Sequence, residues 1–419
     1  MAVLLDLPPE LILHIVSFLH REKVLIDKDN DLSDLFNRRL GYPEIVPDLP
    51  SINAFSQTNT ALYPTLNRYI YNICAKHDAT IGKLSLLSAG KFGSERALDK
   101  LVAAGVSLDA EFFLKYRACS ILHVAAARGQ RVMVIKLLEM YGTEMEVKVH
   151  ARRGTWLVKA TALDYAARYG HLETVQLLAS VPVPSSVSDS TKERRTYLSS
   201  ALLHSVQASV QGGSTEIPEF LVSQGADVND RGAARDAGGT ALYFAVGTDN
   251  LELVQFLLSA GADPNLCVGG SIPLFNAAQN YSDDLDIAET LLAAGADLNK
   301  EDGNLRNVLF SCTDIVPLEF FLKRGVDVNL EDSVGETPLH HACSQQDAVF
   351  ALDCVELLLQ YGATTVEQAN RMGQTPLTIA IGQGYNEIVE LLKPLIYNSA
   401  LKDMISMWLE DNKYNYRNY

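Results

Sequence analysis

The chain has 419 residues, of which 47% are hydrophobic, and this length suits either several compact domains or one elongated array. Its net charge of −16 is concentrated in residues 231–419, which hold 11 Lys and Arg against 26 Asp and Glu. Because phosphate binding depends on Lys and Arg, this balance argues against nucleic acid as a general ligand. No uninterrupted apolar run reaches the ~18 residues that a membrane span needs, so no membrane partner is expected.

The six cysteines are scattered without a CxxC pair. This pattern favours reduced, buried thiols in an intracellular protein, which places the chain in the cytoplasm or the nucleus.

An amphipathic helix is predicted at the start of the chain, where Pro8 and Pro9 lead into an apolar stripe. The opening lacks a basic start and carries Asp6 and Glu10, so it is interpreted as folded structure and not as a signal peptide. A second helical stretch follows over residues 49–72, after an interruption.

The motif Leu4–Leu11, LLDLPPEL, resembles the LxxLPxEL that introduces the first helix of an F-box, and INAFSQTNTALYPTLNRYIY resembles a stretch that follows in many fungal F-box proteins. The resemblance implies a helical F-box-like module over residues 1–75, with a charged insertion at about 20–48. It also implies docking onto the Skp-type adaptor of a cullin-based ubiquitin ligase, through Leu7, Pro8, Leu11, Ile12, Ile15 and Leu19. The alternative is that this apolar stripe only seals the end of a stack of repeats.

Helix-turn-helix units recur along most of the remaining chain, and Thr337–Ala363 is the most complete copy. Thr337 is predicted to cap a first helix, Pro338 suits its first turn, and Gly362 ends the second helix. Because neither helix can bury its apolar face alone, the units must stack on one another. A degraded copy lies over residues 84–109, and eight more align on the leucine after the cap: Leu122, Leu163, Leu202, Leu242, Leu274, Leu309, Leu339 and Leu377.

Thr337–Ala342 reads TPLHHA, which resembles the TPLHxA signature of ankyrin repeats. With several GAD closings after helix pairs, the resemblance implies an all-α ankyrin-repeat solenoid with β-hairpin loops. About eight or nine repeats are expected over residues 80–395, followed by a capping helix and a polar tail at 396–419. In this family the histidine at the place of His340 bonds neighbouring repeats, which favours a structural role over a metal or catalytic one.

Two excursions interrupt the repeat period. Val147 and Val149 alternate with polar residues within Glu146–Lys159, which predicts a β-hairpin finger. Residue types common at protein-binding hot spots lie near its tip: Arg152, Arg153 and Trp156. The alternative is that the tryptophan packs back on the first helices. The second excursion, Val181–Arg195, is rich in Pro and Ser, and an exposed, mobile loop is expected there.

Two further binding candidates, Tyr243 and Asn276, follow the helix-start leucines, a neighbourhood close to the concave face of ankyrin folds. The phenylalanines around them (Phe244, Phe275 and Phe310) are interpreted as core. No GxSxG or HExxH motif occurs, and no cofactor, metal or catalytic residue is expected. The chain is therefore interpreted as a non-enzymatic protein-protein interaction adaptor that captures an unknown target protein for ubiquitination. Two alternatives remain: an ankyrin scaffold without a ligase link, and an enzyme with an unrecognised site.

Overall fold

A computed structural model describes residues 83–114, 117–154, 159–184, 189–208, 214–231, 239–279, 285–397 and 399–412. These residues form nine successive helix pairs, one short helix between the second and third pairs and one final helix, together with two short β-hairpins. The predicted fold class, an all-α array of ankyrin-type helix pairs with hairpin loops, is confirmed. The predicted N-terminal module, its insertion at 20–48 and its six docking residues lie outside the described residues.

The chain divides into two compact units. In the first unit, each helix that opens a pair packs against its counterpart in the next pair, so that α3 contacts α1 and α6, and α6 contacts α8. Its elements are α1 Lys83–Phe92, α2 Glu95–Ala103, β1 Phe112–Leu114, β2 Arg117–Cys119, α3 Ile121–Ala127, α4 Arg131–Tyr141, α5 Met145–His150, β3 Arg153–Gly154, β4 Lys159–Ala160, α6 Ala162–Arg168, α7 Leu172–Ala179, α8 Ser190–Ala208 and α9 Glu216–Ser223. Both hairpins, β1–β2 and β3–β4, are antiparallel.

The second unit repeats this arrangement, except that its third pair opens with a 3₁₀ helix, Val308–Ser311. The α-helices are α10 Ala241–Gly247, α11 Leu251–Ser259, α12 Pro273–Ala278, α13 Asp286–Ala293, α14 Ile315–Lys323, α15 Pro338–Cys343, α16 Ala348–Gln360, α17 Pro376–Gln383, α18 Asn386–Leu392 and α19 Ser399–Asn412. Opening helices contact opening helices and closing helices contact closing helices, and α19 packs on α18.

The leucine that follows each predicted cap is the centre of its repeat's core. All eight of these leucines are buried, and the most accessible, Leu309, is only 4% exposed. Fully burying a leucine contributes roughly 1.5–3 kcal/mol relative to leaving it in water. Thr161, Thr240 and Thr375 begin their helices as predicted for a cap, because each hydroxyl accepts a bond from the backbone N–H three residues later. A threonine followed two residues later by a leucine thus determines both where a helix begins and which of its faces is buried.

Asparagine side chains connect adjacent repeats of the second unit through the backbone. Each asparagine donates its Nδ2 to the carbonyl of a glycine that ends the closing helix of the next repeat. Its Oδ1 accepts from the backbone N–H of the residue two positions after that glycine. The sets are Asn229 with Gly261 and Asp263, Asn265 with Gly295 and Asp297, and Asn329 with Gly362 and Thr364, at 2.7–3.1 Å. These bonds satisfy carbonyls that the helix ends leave without a partner.

His340 makes the inter-repeat bond that the family resemblance implies. Its Nδ1 accepts from the Thr337 backbone N–H at 3.2 Å, so its protonated Nε2 donates to the Gln374 carbonyl of the next repeat, also at 3.2 Å. The ring is buried and fully engaged, which assigns it a structural role.

The predicted β-hairpin finger is wrong over its first half, because Met145–His150 forms α5. The alternation of valines that suggested a strand is here a helical one, with Val149 buried and Val147 57% exposed. Lys148 pairs with Glu144 one turn earlier and with Asp109 on the preceding repeat, which anchors the helix. Within the described part of the finger, Arg153–Gly154 and Lys159–Ala160 pair as antiparallel strands.

The predicted loop Val181–Arg195 is also wrong at its C-terminal end, where α8 begins at Ser190. Asp189 precedes this helix, and its Oδ1 accepts from the Lys192 backbone N–H at 3.0 Å and from the Thr191 hydroxyl. The Pro- and Ser-rich composition predicts a loop, whereas the aspartate side chain supplies a helix start at its C-terminal end.

Candidate functional site

The second unit contains a cleft of about 370 Å³ between its first three helix pairs. We call it the central cleft. Helices and loops supply its lining in comparable measure, and most of the lining side chains are polar: Tyr243, Gly269, Gly270, Ser271, Ile272, Phe275, Asn276, Gln279, Asp302, Asn304, Arg306, Phe310 and Ser311.

The helical wall is formed by α10 and α12. Asn276 of α12 donates its Nδ2 to the Tyr243 backbone carbonyl of α10 at 2.8 Å, which fixes the Asn276 side chain at the cleft. A Cβ at Gly247 would lie 2.8 Å from that same Nδ2, so a glycine is needed there for the contact to form. The wall is therefore positioned by a bond between repeats and by the absence of a side chain opposite it.

The rim of the cleft is formed by two tight turns. Gly269 and Gly270 have φ values of 60° and 89°, and Val268 pairs with Ser271 across them. Two consecutive left-handed residues are the requirement of a tight hairpin turn, which explains the glycine pair that the sequence shows at this point.

The second turn is organised by Asp302. Its Oδ1 accepts from the Asn304 backbone N–H at 2.7 Å and from the Arg306 backbone N–H at 2.9 Å. Asp332 and Asn370 play the same part in the loops before the next two helix pairs, where each Oδ1 accepts from the residues two and four positions later. The three loops thus share one construction, and only the first lines the cleft.

Arg306 joins the cleft to the neighbouring repeat. Its Nε donates to Asp332 Oδ2 at 3.0 Å, and its guanidinium lies 5.6 Å from the centroid of the Phe310 ring. His341 also contacts this ring, with its centroid 5.7 Å from that of Phe310. Arg306 and Phe310 thus form a cation–π contact at one end of the cleft.

The surroundings of this pair set its charge state. Burial by itself raises the pKa of Asp332, but the backbone N–H groups of Glu336 and Val334 and the Arg306 guanidinium outweigh it and hold this pKa below its usual value. Burial, followed by the charge of Arg306, lowers the pKa of His341. Near neutral pH the pair is a carboxylate with a guanidinium, and the imidazole beside it is neutral.

The predicted binding residues are distributed unevenly. Tyr243 and Asn276 both line the central cleft, and so do Phe275 and Phe310, which are buried as core residues. Arg152 lies elsewhere, half-buried after α5 in the first unit. The side chain of Arg153 and the whole of Trp156 lie outside what the structure describes.

Sequence reasoning did not single out Asp302, Leu305 or Arg306. Their signal is a five-residue frame before the helix start, with Asp or Asn first and a polar residue last, which recurs at Asp332–Glu336 and Asn370–Gln374. Aligning the loops in the same way as the leucines would have revealed it.

The cleft offers amide, hydroxyl and carboxylate groups beside aromatic rings. Among the described residues, no group of three or more His, Cys, Asp and Glu is arranged to hold a metal ion. The described helices include none with the length and hydropathy to cross a membrane.

Comparison with known proteins identifies the repeats. Models of the ankyrin repeat match residues 159–183, and a model of three ankyrin repeats matches residues 205–302 and 312–401.

Three relatives align with parts of the array. The nuclear factor NF-kappa-B p105 subunit of Gallus gallus is 32% identical over 160 residues, which cover 37% of this chain and 16% of that protein. Palmitoyltransferase ZDHHC13 of Homo sapiens is 34% identical over 183 residues, covering 42% and 28%. The probable 26S proteasome regulatory subunit p28 of Saccharomyces cerevisiae is 26% identical over 191 residues, covering 44% and 66%. The alignments span less than two thirds of each relative.

Proposed function

We propose that this chain, an ankyrin-repeat protein, is a substrate-recognition subunit of a cullin-based ubiquitin ligase, acting in the cytoplasm or the nucleus. Its ankyrin repeats and the relatives that share them point to a role in protein-protein interaction. In the proposed role, the array binds a target protein and the N-terminal segment binds the Skp-type adaptor.

The central cleft is the observation that carries target binding. Tyr243 and Asn276 belong to different repeats and line the same cleft, and a 2.8 Å bond from the Asn276 side chain to the Tyr243 backbone carbonyl joins the two repeats there. Repeat proteins bind partners over surfaces assembled from several repeats, because no single repeat offers enough area. A cleft built from three successive pairs is such a surface.

The N-terminal sequence supports the adaptor half of the proposal. LLDLPPEL at Leu4–Leu11 has the order of elements that introduces an F-box helix, with apolar residues at helical spacing after it. An amphipathic helix of this kind binds by placing its apolar face in a groove of the partner. The charged insertion at 20–48 is the segment that would interfere if it covered this face.

The test is co-purification of the full-length chain with a Skp-type adaptor produced in the same cells. We expect a stable complex, and we expect Leu7→Asp together with Ile12→Asp to abolish it, because two carboxylates on the apolar stripe would have to be desolvated in the groove. Val349→Asp is the matched control, since it makes the same change at a side chain that is 70% exposed in the repeats.

No complex with the intact chain would contradict the ligase role, and the chain would then be an ankyrin scaffold whose N-terminal helices serve as a cap. A complex that survives the double substitution would contradict docking through the apolar stripe.

A further inference from the structure

We propose that the central cleft binds an extended segment of the target in which a lysine or arginine lies next to an apolar side chain, the cation reaching Asp302 and the apolar group reaching Leu305. This inference rests on the target-binding half of the proposed function and specifies its chemistry.

Charge at the cleft favours a cationic side chain. The Arg306 guanidinium is engaged by Asp332 at 3.0 Å, so these two charges offset each other. Asp302 uses Oδ1 for both bonds that close its loop, which leaves Oδ2 as the atom available to a partner. The surrounding sequence is acidic as well, with 11 Lys and Arg against 26 Asp and Glu in residues 231–419. An excess of one sign attracts the opposite charge and raises its local concentration.

The aromatic lining provides a second contact for the same side chain. At one end of the cleft, Arg306 already shows a guanidinium resting on the Phe310 ring. Tyr243, which is half-buried on the α10 wall, offers another ring within the same cavity. Cations are attracted to the faces of such rings, and a lysine or arginine can therefore use a carboxylate and a ring together.

An exposed apolar residue lies on the rim, between two residues that line the cleft. Leu305 is 50% exposed and follows Asn304 in the loop that Asp302 organises. Its φ is 61°, whereas the same place in the next two loops is held by Gly335 and Gly373, at 77° and 76°. A leucine there costs backbone strain that a glycine would avoid, and its side chain is presented to solvent. An apolar side chain next to the cation of the bound segment would cover Leu305.

The experiment measures binding of labelled peptides to the full-length chain by fluorescence anisotropy. The probe is a peptide of about nine residues in which leucine and arginine alternate, a length that extended chain turns into roughly 30 Å. Its counterparts carry glutamine or glutamate in place of arginine. We expect affinity to fall in the order arginine, glutamine, glutamate.

Asp302→Asn is the decisive variant, because it removes the charge and keeps the loop. Asn370 accepts the same two backbone bonds in the last of the three loops, so an asparagine supports this turn. We expect the arginine peptide to bind about ten-fold more weakly to this variant, the loss typical of one charged hydrogen bond.

Glu301→Gln is the matched control, since it makes the same charge change at the preceding, exposed residue, which does not line the cleft. We expect its affinity for the arginine peptide to stay within about two-fold of that of the unmodified chain, because salt screens a charge that lies farther from the bound cation. If both variants lost the same affinity for the arginine peptide, the effect would come from the negative charge of the whole surface, and the assignment of Asp302 as the cation site would be overturned. Equal binding of the arginine and glutamate peptides would overturn the proposal as well.

The result is separate from the fate of the ligase proposal. A chain that binds the arginine peptide through Asp302 but never co-purifies with the adaptor keeps the cleft assignment and loses the ligase role. A chain that co-purifies with the adaptor but shows no preference for arginine keeps the ligase role and loses the cleft assignment.

Discussion

Replacing Leu305 with glycine is expected to leave the stability of the chain nearly unchanged, although it removes an apolar side chain. Leu305 has a φ of 61°, in the left-handed region, where a Cβ is crowded by the following carbonyl. Gly373, with a φ of 76°, holds the same place in the loop before the last helix pair, and a Cβ added there would meet nothing within 4 Å. Gly373→Ala is therefore the inverse experiment, in which only the backbone penalty changes.

The expected magnitude follows from one gain and two losses. The left-handed conformation costs a non-glycine residue about 1–2 kcal/mol, and relieving it stabilises the folded chain. Glycine has more conformational freedom to lose on folding, which costs about 0.5–1 kcal/mol. Leu305 is 50% exposed, so its replacement also forfeits about half of a leucine's burial, roughly 1 kcal/mol. The net change for Leu305→Gly is therefore close to zero, whereas Gly373→Ala should lose about 1 kcal/mol.

The assay combines urea unfolding with hydrogen exchange, because long repeat arrays can unfold in parts and a global midpoint alone can hide a local change. The amides of Leu305 and Arg306 bond to Asp302, at 3.1 and 2.9 Å, and report the loop directly. We expect little change in exchange of the Arg306 amide in Leu305→Gly and faster exchange of the amides around Gly373 in Gly373→Ala. A Leu305→Gly chain that loses about 1.5 kcal/mol or more, the loss expected when there is no strain to relieve, beside a harmless Gly373→Ala, would refute the strain at this loop.

Three further outcomes are expected. Burial lowers the pKa of His340 below 6.5, so the unfolded chain binds the extra proton first, and stability is lost as pH falls below 6.5 toward the folded-state pKa. This contribution makes the free energy of unfolding fall by up to about 1.4 kcal/mol per pH unit, and His340→Gln should remove it. Urea unfolding measured at several pH values checks this, and an unchanged pH dependence in His340→Gln would contradict the assignment. Asn329→Ala should cost about 1–2 kcal/mol and speed exchange of the Thr364 amide, which it accepts at 2.9 Å; unchanged exchange would refute the bridge. Val149→Ala should cost about 2 kcal/mol in thermal unfolding, while Val147→Ala should be nearly neutral, and equal effects would contradict the helix α5.

The repeat fold could be predicted because its determinants are local and recurrent. The cap and the leucine two residues later define a helix start and its buried side at once, as Thr240 and Leu242 show. The ankyrin resemblance made Tyr243 and Asn276 binding candidates, and both line the central cleft, but their part in binding stays a prediction. What recurs in the sequence was therefore predictable.

The features that the sequence did not predict depend on contacts far along the chain or on single residues. The helix α5 is held by the contact of Lys148 with Asp109, which lies 39 residues earlier. The start of α8 depends on one capping side chain, Asp189, inside a stretch whose composition favours a loop. The strain at Leu305 becomes visible only when its loop is compared with those of its neighbours, since leucine itself carries no turn signal.

The most direct measurement of the central claim, that one chain joins an adaptor to a target, compares three forms of the full-length chain: unmodified, Asp302→Asn, and Leu7→Asp with Ile12→Asp. Skp-type adaptor is immobilised, the chain is added, and retention of the labelled arginine-leucine peptide is measured. We predict that the unmodified chain is retained and captures the peptide, that Asp302→Asn is retained without capturing it, and that Leu7→Asp with Ile12→Asp is not retained but still binds the peptide in solution. Failure of the adaptor to retain the unmodified chain would contradict the account.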